Sequence, residues 1–399
     1  MPLGSEKVGL MASAGVANEN YFGDESLGDC QFGASSITQS GDTAAIDTVL
    51  TTGSEAGGPG SSSYGNGNTN QLVPNSSACY EFTVANTSGT YDGDMVVLNF
   101  TNLTVDASTT ITTVRPCRGM LIYCSGDALI NGYISMNSRG GHADPTASGG
   151  GDASAVSATG LRLPLFNAAG TDTLAAADFA GSGTASVAAV ANQDGIAGNG
   201  SIYTMPQTGG GGGATKRANG TAGTTGGTTL SSGGGGAGMA SETGGFGAGG
   251  DGGAFSGGAA GGSGRAAAAQ AGEDYGGAGG ARGDAHGGEG VGGGGGNPGG
   301  TGTSVTACNG IGGIIWLVVK GDVTIASGGG VVGQAPQCYD SSHYGSASAG
   351  GGSIFVLHAG TLSNSGTISA AAGIRGGYGH GHYSGTGGAG GTHTATIND

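Results

Sequence analysis

The sequence predicts an all-β protein with β-helix-like or β-solenoid-like rungs and an inserted glycine-rich lattice of polyglycine-II-type helices. Composition is the first observation: 97 of the 399 residues are glycine and only 10% are charged. Two patterns add to it, a strand–glycine–strand motif that occurs three times and a tract with glycine at every third position. Because glycine has no side chain to bury, backbone hydrogen bonding, stacking of repeats or association of copies must order such a chain.

The repeated motif aligns on Gly126, Gly321 and Gly360. Its copies are residues 120–135, 315–325 and 354–369. In each copy a run of β-branched and large apolar residues meets the glycine, and a second short strand follows. This pattern is typical of one rung of a β-helix, in which glycine permits the turn and stacked rungs bury the inward side chains. The Thr-rich stretch 94–114 predicts the preceding rung.

A long insertion separates Gly126 from Gly321. Its first part is rich in Ala, Ser and Gly, and both short helices and loops fit it. In its second part glycine recurs at every third position, as at Gly287, Gly290, Gly293, Gly296, Gly299 and Gly302. A period of three is typical of a polyproline-II-type helix, and such helices can pack side by side. The alternative is a flexible Gly/Ser linker, but linkers need no phase and rarely carry aromatic residues such as Tyr275.

The composition shifts divide the chain into five segments. They are an N-terminal attachment or assembly segment (1–60), β-rich rungs (61–140), an Ala/Ser/Gly-rich excursion (141–208), the polyglycine-II-type lattice (209–303), and further rungs with a Gly/His-rich C-terminal tail (304–399).

Charge and motifs disfavour several classes of function. A formal net charge of −16 repels nucleic acids and anionic membranes, and no apolar stretch is long enough to cross a membrane as a helix. No nucleophile-elbow, zinc-protease or P-loop motif occurs. Carboxylates such as Glu273 and Glu289 lie in glycine-rich sequence without a framework to hold a catalytic pair, so we expect no enzymatic activity. The first residues lack a secretory signal, and we expect assembly in the cytoplasm.

Three features together resemble the glycine-rich structural proteins of bacteriophage tails and fibres. These are the opening Asn20–Asp29 stretch, the strand-rich stretch Ser125–Ser135, and the polyglycine tract that follows. The resemblance implies a homo-oligomer in the virion that contacts other virion proteins and attaches the particle to a host surface glycan or protein. The alternative function is a self-assembling extracellular filament or matrix protein of a cell.

The polyglycine tract is also similar to that of phage tip adhesins, in which connecting loops bind the receptor. This resemblance implies receptor binding by loop residues of the tract, and we single out Asp274, Tyr275 and Asp284. Aromatic and polar loop residues are common in sites that bind sugars or proteins. The alternative is that the aromatic residues of the tract pack over the glycine lattice.

His380 and His382 form a His-x-His pair near the C-terminus. Alternate residues of a strand point to one face, so three chains around a shared axis would offer six imidazole nitrogens, an octahedral set suited to iron or another transition metal. The pair resembles those in the trimeric tips of phage long tail fibres. The alternative is that both histidines are solvated loop residues, and we expect no other cofactor.

Overall fold

A computed structural model gives the fold of the chain. It describes residues 22–41, 74, 76–82, 96–113, 119–137, 139, 312–335, 351–371 and 389–397, together with four two-residue strands between them. These residues form strands, turns and extended connections, and none of them lies in a helix. The prediction of an all-β chain is confirmed for this part of the molecule.

The described residues form twenty strands, numbered here in chain order. They are β1 (Cys30–Phe32), β2 (Ile37–Gln39), β3 (Ala78–Phe82), β4 (Val96–Phe100), β5 (Leu103–Val105), β6 (Thr109–Thr113), β7 (Gly119–Cys124), β8 (Ala128–Ile130), β9 (Tyr133–Ser135), β10 (Arg162–Leu163), β11 (Ala177–Asp178), β12 (Ala214–Thr215), β13 (Gly238–Met239), β14 (Ile314–Val319), β15 (Val323–Ile325), β16 (Gly330–Val332), β17 (Ser353–His358), β18 (Leu362–Asn364), β19 (Thr367–Ser369) and β20 (Gly391–Thr396).

Three mainly parallel sheets contain all of the described strands except the four of two residues. Sheet 1 has the order β20-β17-β14-β7-β4, sheet 2 the order β18-β15-β8-β5-β1-β2, and sheet 3 the order β19-β16-β9-β6-β3. Every pairing in these sheets is parallel except that of β1 with β2, which is antiparallel. The pairs β10–β11 and β12–β13 lie within the insertion.

The chain visits the three sheets in a fixed order. From β4 onward, each strand of sheet 1 is followed by one of sheet 2 and then one of sheet 3, and the next strand of sheet 1 pairs beside the first. We call one such set of three strands a repeat. The register places Ile315 opposite Met120 and Ile354, which is the alignment that the repeated motif predicts. The pairing of β4 with β7 confirms that residues 94–114 supply the preceding repeat.

The described core takes inward side chains from all three sheets. In sheet 1 these are alternate residues of β4, β7, β14 and β17, such as Ile315, Leu317 and Val319 of β14. Sheet 2 contributes residues such as Ile130, and sheet 3 residues such as Ile134. Because the strands are short, each repeat adds only a few core side chains, and neighbouring repeats must stack to enclose them.

The corner glycines are required for a reason other than the one the sequence suggests. The sequence predicts that they permit a turn, but none of Gly126, Gly321 and Gly360 has a positive φ. A Cβ at Gly321 would instead overlap the Asp127 carboxylate and the Gly126 carbonyl of the repeat before it. Glycine at these corners therefore allows close stacking of repeats rather than an unusual backbone conformation.

Candidate functional site

Among the described repeats, one corner carries five connections of five residues or more. Each of them joins a strand of sheet 3 to the next strand of sheet 1, and we call this corner the connection corner. The described residues that flank the five connections are Phe82 and Val96, Thr113 and Gly119, Arg139 and Gly312, Ala335 and Gly351, and Ala371 and Ala389. Insertions that leave a repeat protein on one side are often its binding elements.

The other two corners within the repeats are short and closely packed. Between sheets 1 and 2 the corner is a pair or trio of residues, as at Thr101–Asn102. The Asn102 side chain accepts a hydrogen bond from the Asp127 backbone N–H at 2.7 Å, and Asp127 Oδ1 accepts from the Asp322 N–H at 2.8 Å. Asp322 Oδ1 continues the series by accepting from the Thr361 N–H at 2.6 Å. This side-chain ladder holds successive repeats together at the corner.

Glycine also lines the connection corner where the chain returns to sheet 1. The Gly352 N–H donates to the Gly333 carbonyl at 2.9 Å, and the Ser353 N–H donates to the Gly313 carbonyl at 3.3 Å. A Cβ at Gly312 or Gly352 would overlap backbone atoms of neighbouring repeats. Successive connections therefore return to the scaffold along one tightly packed row.

The longest connection, residues 140–311, begins and ends at one point of the scaffold. The Gly313 N–H donates to the Met136 carbonyl at 3.0 Å. The Gln334 N–H donates to Asn137 Oδ1 at 2.6 Å. Residues before and after the insertion are thus bonded directly, so stacking of the repeats continues past it.

Arg139 is fixed at the start of this connection. Its side chain is fully buried, and its Nε donates to the Thr113 carbonyl at 3.0 Å. Its Nη2 lies 3.7 Å from Oε1 of Glu81, a carboxylate that is also buried. Arg139 therefore links the ends of β3 and β6 to the residues after β9, because a buried guanidinium needs such partners.

Burial sets the protonation state of several described titratable groups. Cys30 and Cys124 are free and buried, and burial raises the pKa of Cys30 to about 12 and that of Cys124 further. Both thiols are therefore protonated and unreactive near neutral pH. Burial also lowers the pKa of His393, which favours its neutral form. Within the described ranges, no group of three or more His, Cys, Asp or Glu side chains is placed to hold a metal ion.

The predicted binding residues lie outside the described residues. Asp274, Tyr275 and Asp284 belong to the connection 140–311, and His380 and His382 belong to the connection 372–388. Receptor binding and metal binding at these positions stay predictions. Both connections are nevertheless attached at the connection corner, a shared location that the sequence reasoning missed. The signal that could have revealed it is that each long interval precedes the first strand of a repeat.

Comparison of the chain with models of protein families, with characterised proteins and with solved structures yields no match. Among the residues that the structure describes, there is no helix long and apolar enough to span a membrane.

Proposed function

We propose that the repeats form a β-helix and that this β-helix is the scaffold of a non-enzymatic structural and adhesive protein of a bacteriophage virion. The protein would form a tail fibre, a tip or a related appendage that attaches the particle to a host surface glycan or protein. In-register parallel pairing through successive repeats supports the β-helix, since each strand of sheet 1 stacks on the equivalent strand of the preceding repeat.

The observation that carries the proposal is the placement of five connections on one corner of a stacked scaffold. A stacked framework with long connections on one side suits a protein that binds an external surface, because connecting segments carry specificity when a framework presents them. The segments that bear Asp274, Tyr275 and Asp284, and the His380–His382 pair, both belong to this set. We therefore propose that the receptor is bound on the side of the connection corner.

The alternative, a filament in which subunits stack end to end, is less well supported. At one end of sheet 2, β2 folds back and pairs antiparallel with β1, so that a parallel strand of another copy cannot add directly to β1. We therefore propose a finite homo-oligomer. Analytical ultracentrifugation should give one mass that does not grow with concentration, whereas an indefinite polymer would favour the filament.

Antibody labelling of purified phage particles tests the virion assignment. We expect gold label at a tail or fibre, and we expect the purified protein to compete with the phage for adsorption to host cells. Absence of the protein from purified virions would overturn the assignment. Presence in virions without competition would instead limit the role to structure.

A further inference from the structure

β20 lies at the C-terminal edge of sheet 1 and pairs only with β17 among the described strands. The register places Thr392, Thr394 and Thr396 opposite the inward residues of β17, so these threonines are on the core side of β20. All three are nevertheless exposed. β20 therefore gains little from burial on its core side, and its docking depends more on backbone pairing and on its outward side chains.

His393 lies on the outward side of β20. It is opposite Phe355 in the register, and Phe355 is opposite Trp316 on its other side. The ring centroids of Trp316 and Phe355 are 4.3 Å apart, and the two residues are 4% and 1% exposed. His393 thus continues a lateral row whose next two members are aromatic and closed to water.

Among the described residues, the strand that packs against β20 offers no negative charge to His393. β17 is the element in extensive contact with β20, and its outward residues are Ser353, Phe355 and Leu357. The other ionisable side chain of this strand pair is His358, which alternation places on the core side. A proton on His393 would therefore put a charge beside a buried aromatic ring without a described carboxylate to balance it.

The pKa of His393 agrees with this environment. Burial lowers this pKa from the ordinary value of 6.5. Because the imidazole binds a proton less well in the docked strand than in a released one, protonation favours release. Docking therefore has its full strength above the ordinary pKa of 6.5 and weakens as the pH falls below that value.

We propose that β20 is a pH-sensitive strand, and that protonation of His393 shifts it from its docked position on β17 toward a released one. Since β20 has one partner among the described strands, a small change in free energy alters its released population. Release would leave the backbone groups of β17 unpaired on that side and expose the side of Phe355 that faces β20. The inference concerns one chain and does not rest on a role in a virion.

Amide hydrogen exchange of the full chain, measured by mass spectrometry from about pH 8 to about pH 5, tests the proposal. Each rate is divided by the rate of the unfolded peptide at the same pH, so that only changes in structure remain. We expect the protection of β20 to fall several-fold below the ordinary histidine pKa of 6.5, while that of β14, which has partners on both sides, stays constant. Constant protection of β20 across this range, or an equal loss in β14, would overturn the proposal.

Two substitutions test whether His393 is the group that titrates. Neither His393→Gln nor His393→Phe can be protonated, so both should remove the pH dependence of exchange in β20. The phenylalanine also extends the aromatic row, so it should raise the protection of β20 at low pH.

The matched control is Thr394→Gln, which changes the next residue of the same strand, an exposed one, and keeps His393. We expect this control to retain the pH dependence of the unaltered chain. A pH dependence that persists in either His393 variant would overturn the proposal and indicate another ionisable group, such as His358.

Discussion

At the corner between sheets 1 and 2, one side-chain oxygen in each repeat holds the next repeat in place. Asn102, Asp127 and Asp322 occupy equivalent positions, and each accepts a hydrogen bond from the backbone of its neighbour. Asn102 also donates through Nδ2 to Asp29 Oδ1 at 2.7 Å, which extends the ladder to the residue before β1. Each hydrogen bond needs a side-chain oxygen at this distance from the backbone, but that oxygen does not need to carry a charge.

This property leads to a prediction for two substitutions at Asp127. Asp127→Asn keeps an oxygen that accepts from the Asp322 N–H, as Asn102 already does one repeat earlier, so the free energy of unfolding should be unchanged or slightly higher. Asp127→Ala removes the acceptor and should lower it by about 0.5–1 kcal/mol. Unfolding in urea measures the free energy of unfolding of both variants. Equal losses for the two variants would show that the carboxylate charge, rather than the hydrogen bond, stabilises the corner.

At the scale of the element, the N-terminal end of the core is closed by aromatic rings. Phe32 of β1 is fully buried, and it contacts the rings of Tyr80, Phe82 and Phe100 edge to face at centroid distances of 5.5, 5.9 and 6.2 Å. The Tyr80 hydroxyl donates to the Gly33 carbonyl at 2.6 Å. One short strand therefore joins all three sheets at this end.

We predict that Phe32→Ala lowers the free energy of unfolding by about 3–5 kcal/mol, because it removes a large buried side chain and leaves a cavity among three rings. The matched control is Gln31→Ala on the same strand, whose side chain is exposed and bonds only to Asp106 among the described residues. The free energy of unfolding of this control should fall by no more than about 1 kcal/mol. Denaturant unfolding compares the two, and similar losses would mean that the ring cluster does not stabilise this end.

The strands differ in how far the sequence could predict them. The alternation and the shared glycines of residues 120–135, 315–325 and 354–369 predict their register correctly, because one inward face and one tight corner leave a single alignment. The sequence did not predict β1 as a member of sheet 2. Its three residues are too few to show a period, and they become a strand by pairing with β5, far along the chain.

The outward face of sheet 1 and the connection corner also escaped prediction. The run Ile314–Val319 predicts a strand buried on both sides, but it does not indicate what covers the outer side. The placement of the connections on one corner follows from pairing between distant strands, which no local pattern contains. The candidate receptor and metal residues were chosen from composition and resemblance, and they stay predictions.

At the scale of the whole molecule, stability should be highest inside the stack and lowest at its C-terminal end. β14 pairs with β7 on one side and β17 on the other, whereas β20 pairs only with β17 among the described strands. Each repeat of such a protein is stabilised mainly by its neighbours.

We therefore predict a gradient of amide hydrogen exchange, with the slowest exchange in β7 and β14 and the fastest in β20. Hydrogen exchange followed by mass spectrometry on the native protein measures it. β17 provides the internal reference, because it lies next to β20 and has partners on both sides. Protection in β20 equal to that in β14 would indicate that the stack continues onto another partner at this end.

The hydrogen bond between Gly313 and Met136 has a mechanical consequence. Because both ends of the connection 140–311 are fixed at one point of the scaffold, tension applied to its middle is divided between two chain ends. One end pulls on Arg139, which is held by Thr113 and Glu81, and the other pulls on β14, which is bonded along its length to two strands. Tension directed along β14 would load its hydrogen bonds to β7 and β17 in shear, so many of them would have to break together before the attachment yields.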